Sequence, residues 1–113
     1  MKYLLLALLL ISSSAIASTI TWVNPTQRED GKPLTESEIA GYRVYHGAVS
    51  GDYQNQINIT GLKTTAVIDL PYGVNYIVMT VVDTQDRESL YSTEVIIDIP
   101  ASLPKPPTSI TIQ

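Results

Sequence analysis

At positions 41–47 the chain reads Gly-Tyr-Arg-Val-Tyr-His-Gly. In an extended chain Tyr42 and Val44 fall on one face, and Arg43 and Tyr45 fall on the other. This period of two predicts a central strand with one buried face. The other apolar runs are equally short, rich in β-branched residues and bounded by Gly, Pro, Asp or Asn, so only further strands can cover it. The sequence therefore predicts an all-β fold.

Five further strands are predicted from the same kind of pattern. They lie at residues 18–23, 54–59, 64–70, 75–82 and 91–99. A polar segment with two prolines precedes the strand at 41–47, and within it Thr35 and Glu38 have the spacing of a capped helical turn. In the run 75–82 both alternating sets of side chains are apolar, so periodicity leaves its inward face open.

The first seventeen residues have the pattern of a secretory signal peptide. Lys2 precedes an apolar run from Tyr3 to Ile11, and Ala15-Ile16-Ala17 supplies the small residues of a cleavage site. The alternative is a membrane anchor, but a spanning helix needs about 20 apolar residues, roughly twice this run. We therefore expect cleavage after Ala17 and a secreted or periplasmic protein.

Composition limits the partners and the stabilising chemistry. The chain has no cysteine, so disulfides and a thioether lipid anchor are excluded. Loss of Lys2 with the signal would leave six basic and eleven acidic residues, a net charge of −5. Nucleic acid and anionic membranes prefer a basic surface, so neither is expected to bind. We expect one domain at residues 18–100, held by its apolar core, and a Pro-rich tail at residues 101–113.

Several groups of residues together resemble a fibronectin type III domain of the bacterial and phage kind. They are Ile20-Thr21-Trp22 with Pro25, Gly41 to Tyr45, Leu70-Pro71-x-Gly73-x-x-Tyr76, Asp83 with Glu88-Ser89, and Tyr91-Ser92 with Glu94-Val95. The resemblance covers nearly the whole chain between residues 18 and 99. It implies an immunoglobulin-like sandwich of two antiparallel sheets whose core includes Trp22, Tyr42, Val44 and Leu70.

One departure from the family's pattern concerns the penultimate strand. The family places a tyrosine near the start of this strand, where it holds the preceding corner. Counting forward from Leu70 assigns that place to Tyr76, whereas counting back from Asp83 assigns it to Asn75. The count that selects Asn75 turns Ile77, Met79 and Val81 inward. We prefer it because Asp83 then begins the following loop.

The second departure is that the family's first strand is missing, since residues 18–23 correspond to its second strand. The end of the tail offers a replacement, because Ser109-Ile110-Thr111-Ile112 alternates like a strand. We expect residues 108–112 to form an edge strand near Trp22, either in the same chain or exchanged with a second one. The alternative is that the tail is a flexible linker.

The sequence contains no recognisable catalytic constellation. His46 is the only histidine, and its place at the end of a strand predicts a residue on the rim of the domain. Asp83, Asp86 and Glu88 carry oxygen ligands suited to calcium but lack the spacing of a dedicated calcium loop. We therefore expect no enzymatic activity, no metal and no cofactor.

The remaining functional signal is aromatic. If Tyr42 and Val44 point inward, Tyr45 points outward, and in the preferred register Tyr76 and Val78 share its face. Such a patch often marks an interaction site, although scattered surface tyrosines are ordinary.

The resemblance implies an exported, non-catalytic binding or structural module that acts through protein–protein contacts. The alternative is a carbohydrate-binding accessory module of a secreted or phage-borne system. In that case Tyr45, Tyr53 or Tyr76 would stack on sugar rings.

Overall fold

Two antiparallel sheets make up the regular structure of the computed structural model, which describes residues 15–113. The strands are β1 (Ala15–Thr21), β2 (Ile39–Gly47), β3 (Asn55–Thr60), β4 (Thr65–Pro71), β5 (Gly73–Asp83) and β6 (Val95–Ile99). Strand β1 pairs with β4, and the larger sheet has the order β3-β2-β5-β6. The prediction of an all-β fold is confirmed.

Strand β1 begins earlier than the sequence predicted. Residues 1–14 of the predicted signal peptide lie outside the described residues, and Ala15–Ala17 lie in β1 opposite Asp69–Pro71 of β4. Cleavage after Ala17 would leave the pairs from Ser18 with Ile68 to Thr21 with Thr65 intact. Within residues 15–113 no helix has the length and apolar character needed to cross a bilayer.

Side chains from both sheets form a shared core. Val44 of β2 and Leu70 of β4 are completely buried, and Ile68, Ile77 and Ile99 pack with them. Burial of one such aliphatic side chain contributes about 1.5–3 kcal/mol, so this cluster supplies much of the cohesion between the sheets.

A second cluster forms where the loop between β1 and β2 crosses the end of the sheets. Leu34 of this loop, Ile39 and Tyr42 are buried, and the Trp22 ring lies 4.9 Å from that of Tyr42 between centroids. The Asn24 side-chain oxygen accepts hydrogen bonds from the Trp22 indole (3.1 Å) and the Tyr42 hydroxyl (2.6 Å). Trp22 is only half-buried, which differs from its expected place inside the core, because one side of the indole borders a cleft.

The helical turn predicted in this loop is confirmed. It is a single 3-10 turn, Glu36–Glu38, and the Glu38 carboxylate accepts hydrogen bonds from the Thr35 backbone amide (2.9 Å) and hydroxyl (3.1 Å). These bonds lower the pKa of Glu38, the bond from the Thr35 amide foremost.

Gly41, near the start of β2, lies at a close approach of β3 and beside a β-bulge in the pairing with β5. The register of β2 on β5 shifts between Ile39 and Gly41. A Cβ atom at position 41 would collide with the backbone carbonyl of Ile59 in β3. The close approach of β3 to β2 at this point therefore requires a residue without a side chain.

The corner between β4 and β5 is held by Asn75. Its buried side-chain amide donates hydrogen bonds to the backbone carbonyls of Pro71 (2.9 Å) and Gly73 (3.0 Å). An amide so placed ties the start of β5 to the turn before it, which is the role that the preferred count assigned to this residue.

The inward face of β5 follows from its register on β2. Met79 lies opposite Val44, and Ile77 and Val81 share the face of Met79. The preferred register is confirmed. Burial along β5 nevertheless differs from the expectation, since Met79 and Val81 are only half-buried while Val78 on the opposite face is buried.

The tail forms no edge strand in this chain, in contrast to one of the two predicted arrangements. Residues 100–113 have no regular structure, and Ile110 and Ile112 are 86% and 91% exposed. Four prolines between residues 100 and 107 explain this, because proline favours a stiff extended spacer and cannot donate to a ladder of strand hydrogen bonds.

Candidate binding surface

Residues 88–94 run along the edge of β5 without forming a regular strand. The backbone amides of Ser89 and Ser92 donate to the carbonyls of Val81 and Met79, both at 2.9 Å. In return, the amides of Val81 and Met79 donate to the hydroxyl oxygens of Ser89 (3.0 Å) and Ser92 (2.9 Å). The serine hydroxyls thus take the place of the backbone carbonyls that a regular strand would offer.

The two residues between the serines depart from regular strand geometry. Leu90 and Tyr91 are both exposed, and the regular strand β6 begins only at Val95. The prediction of a strand from Tyr91 to Ile99 was therefore wrong in its first four residues. Leu90 was not identified as a surface residue of interest, although the adjacent apolar pair in Ser89-Leu90-Tyr91-Ser92 breaks the alternation of a strand.

An apolar cleft of about 230 Å³ lies between the end of β1 and this segment. Its walls include Trp22, Val23, Pro25, Met79 and Leu90. Ser92 also lines it, so β1 rather than β4 is the strand of the small sheet that lies nearer to the β5–β6 edge. A second cavity of about 400 Å³ adjoins the cleft and shares Pro25 and Leu90 with it.

Beyond the cleft, the two-stranded sheet covers only part of the four-stranded one. Val95 and Ile97 lie opposite Ile77 and Asn75 in the register, on the face turned toward the small sheet, yet they are 59% and 36% exposed. Among residues 15–113, no strand pairs with β1 on the side away from β4. We call this region the open side, meaning the edge of β1 that has no partner among residues 15–113, the uncovered positions Val95 and Ile97 on the inner face of β6, and the cleft beside Trp22.

Ion pairs close the polar end of the larger cavity. The Asp83 carboxylate accepts hydrogen bonds from the guanidinium groups of Arg28 (3.0 Å) and Arg87 (2.9 Å), and from the backbone amides of Gln85 and Arg87. These bonds hold the pKa of Asp83 well below its usual range, and the bond from the Arg87 backbone amide contributes most. Arg28 also contacts Glu38 at 3.3 Å, so the loop between β1 and β2 is tied to the end of β5.

The other two acids that were considered as calcium ligands face an arginine. Arg43 contacts Glu88 at 2.7 Å and Asp86 at 3.8 Å. Among residues 15–113, no three acidic or histidine side chains converge in a way that could hold a metal ion. All three carboxylates form ion pairs with arginines of their own chain.

Three tyrosine rings cluster on the outer face of the larger sheet. The Tyr91 ring packs edge-on against Tyr45 (5.3 Å between centroids) and against Tyr53 (5.4 Å). The Tyr45 hydroxyl donates a hydrogen bond to Glu88, and the Tyr53 hydroxyl donates one to Glu94 at 2.5 Å. The bond from Tyr53 is the main reason that the pKa of Glu94 is lowered.

The predicted surface contact of Tyr45, Tyr76 and Val78 is only partly available. Tyr45 and Tyr76 are half-buried, but Val78 is 2% exposed and cannot contact a partner. Val78 lies directly opposite Tyr45 in the register, and the packed rings of Tyr45 and Tyr91 occupy the space above this part of the sheet. The prediction for Val78 was therefore wrong.

His46 lies inside the molecule and not at its rim. It shares the inward face of β2 with Tyr42 and Val44 and is 6% exposed. Its Nδ1 atom is buried and has no hydrogen-bond partner in the part of the chain that the structure describes. Burial lowers the pKa of His46, because the charged imidazolium would lose its hydration.

No protein-family model, curated protein or solved structure matches this chain. The functional interpretation therefore depends on the geometry of the molecule.

Proposed function

We propose that this protein is an exported, non-catalytic binding module that accepts an extended segment of a protein partner at its open side. The observation that carries the proposal is the inner face of β6, where Val95 and Ile97 are exposed beside an edge of β1 that no strand among residues 15–113 pairs with. A free strand edge offers backbone donors and acceptors to an incoming strand, and a neighbouring apolar face offers it sites for alternate side chains.

We also propose that the fold is an immunoglobulin-like sandwich of the fibronectin type III kind. The division of the strands between the two sheets supports this assignment, as does a corner residue at the start of β5 that bonds back to the preceding turn. In such a fold an outer strand lies beside β1 and covers the inner face of the last strand, and residues 15–113 contain no such strand.

A protein partner is better supported than a glycan. Sugar rings stack on open, flat aromatic faces, whereas the tyrosine rings of the outer face meet one another at 60° and 87°. The hydroxyls of Tyr45 and Tyr53 are also held by Glu88 and Glu94. If the glycan alternative were correct, the protein would be retained on insoluble polysaccharide and Tyr53→Ala would abolish the retention.

Site-specific photocrosslinking in the native cell tests the proposal. A photoreactive amino acid is placed at Val95 on the open side or, as a matched control, at Val67, which is an exposed valine of β4. We expect a discrete protein adduct from position 95 and none from position 67. Equal adducts from both positions, or none from either, would contradict the proposal.

The export step has its own test. The N-terminal residue of the protein recovered outside the cytoplasm is expected to be Ser18. Recovery of the uncleaved chain in the cytoplasm would contradict it.

A further inference from the structure

We infer that the segment bound at the open side is Thr108–Ile112 of a second copy of this chain, paired along the free edge of β1. The inference rests on the proposed function, since it names the partner of that same surface. Its support comes from the pattern of the segment, its charge and the length of the spacer that carries it.

The first argument is complementarity of side chains. Ile110 and Ile112 alternate with Ser109 and Thr111 and are almost fully exposed. In an extended strand residues i and i+2 lie about 7 Å apart on one face, and Val95 and Ile97 have the same spacing on the open side. Two isoleucines of an added strand would therefore face the two uncovered positions of β6.

The second argument is complementarity of length. Cleavage after Ala17 leaves Ser18–Thr21 of β1, and the Trp22 backbone amide continues the pairing with β4 through a hydrogen bond to the Thr64 carbonyl (2.9 Å). The opposite edge of this strand therefore runs over Ser18–Trp22. This edge and the segment Thr108–Ile112 both have five residues. Each can therefore pair the other along its whole length.

The third argument is charge. Lys105 is the only charged side chain at positions 101–113, whereas residues 18–100 carry five basic and eleven acidic residues. Two such bodies, each with a net charge of −6, repel one another, whereas a tail without acidic side chains adds little to this repulsion, so charge favours tail-to-body contact over contact between bodies.

The exposure of the tail favours a second copy over the same chain. Eight residues separate Ile99 from Thr108, and at about 3.1 Å per residue a proline-rich spacer can hold the segment up to roughly 25 Å from the end of β6. Such a spacer is long enough to present the segment to a neighbouring molecule. In its own chain the segment does not lie on the open side, because residues 100–113 are exposed along their whole length.

Reciprocal exchange would use both free edges at once. In a two-fold dimer each chain gives its tail to the other, so the assembly closes and leaves no further edge of this kind to propagate. This arrangement removes the aggregation hazard that an exposed strand edge beside an apolar face creates.

Analytical ultracentrifugation of the chain from Ser18 to Gln113 provides the first test. We expect a concentration-dependent dimer, and an Ile110→Asp/Ile112→Asp variant is expected to associate at least about tenfold more weakly, since two buried charges would lack partners. The melting temperature of the diluted monomer should not change, because these side chains contact nothing in their own chain. Leu103→Asp, an exposed change in the same tail, is the matched control and should leave the dimer intact.

Cysteine crosslinking provides the second test, and the natural chain offers no competing thiol. A Thr19→Cys chain mixed with a Thr111→Cys chain is expected to form a mixed disulfide, whereas Thr60→Cys, on the far edge strand β3, is not. A monomer at all concentrations, or an intramolecular disulfide in the dilute double variant, would overturn the inference. If Val95 crosslinks to a different protein and the chain stays monomeric, the proposed function stands and this inference fails.

Discussion

Inward-facing apolar residues are buried on one side of the two packed sheets and exposed on the other. On the closed side, where β4 lies over β2, Val44 and Leu70 are completely buried. On the open side Val95 and Ile97 face the same layer between the sheets, yet both are exposed. The residue types and the alternation are alike, so the difference comes from the number of strands above them. An inward-facing apolar residue forms core only where the opposite sheet extends over it.

The largest expected effect contrasts two isoleucines. Ile68→Ala on the closed side should lower the free energy of unfolding by about 2–5 kcal/mol, since it leaves a cavity in a packed cluster. Ile97→Ala on the open side should cost less than about 1.5 kcal/mol, because its side chain already contacts solvent. Urea unfolding at concentrations below dimerisation measures both. Equal losses would show that the two sides do not differ as described.

Trp22 lies at the border between the two sides and should show an intermediate effect. Trp22→Ala is expected to cost about 2–3 kcal/mol, less than the roughly 3–5 kcal/mol of a fully buried tryptophan, because only half of the indole is covered. Trp22→Phe should recover part of the loss. Unfolding is followed by circular dichroism, since the variants lack the only tryptophan. A cost at the upper end of the buried range would place Trp22 on the closed side.

A substitution at Gly41 tests how closely β3 approaches β2. Gly41→Ala should destabilise the fold by about 1–3 kcal/mol, because the added methyl group meets the Ile59 carbonyl and the strands must separate. The neighbouring Ala40→Gly, at an exposed position, should cost only about 0.5–1 kcal/mol. Thermal melts show which of the two variants is less stable. A Gly41→Ala variant with the stability of the wild type would contradict the close contact.

Because of His46, the stability of the fold should depend on pH. Its pKa is lowered in the folded state, so the unfolded chain binds the proton more readily and stability falls as pH drops below about 6.5. The loss of stability continues until the pH reaches the pKa that His46 has in the folded state, and it does not increase below that pH. The carboxylates with lowered pKa, such as Asp83, add their own loss only at more acidic pH.

Urea midpoints between pH 7.5 and 5.5 measure the contribution of this histidine. The wild-type midpoint should fall over this range, and His46→Gln should remove most of the change. A midpoint that is independent of pH in the wild type would argue against a buried neutral imidazole.

The smallest effect on stability is expected at Val95. Val95→Thr changes an exposed position of an edge strand and should alter the unfolding free energy of the monomer by no more than about 0.5 kcal/mol. The same variant should weaken binding at the open side, because it removes apolar contact from the uncovered face. If the variant lowers the unfolding free energy but leaves binding unchanged, Val95 contributes to the core and does not contact a partner.

Much of the candidate surface depended on contacts between residues distant in sequence. The outward position of Tyr45 could be predicted from its alternation with Tyr42 and Val44. The burial of Val78 could not, because it required the return of Tyr91 over the outer face. The cleft beside Trp22 was also unpredictable, since its walls come from the first loop, β5 and the segment that carries Leu90.

The sequence by itself determined the all-β class, the approximate positions of the strands and the turn at Glu36–Glu38. Each of these depends on local alternation or on a capping pair, which act within a few residues. Only the tertiary structure decided which inward residues became core and which were left at an open side. That outcome depends on how many strands join each sheet, and strand pairing is a contact between segments that no local pattern contains.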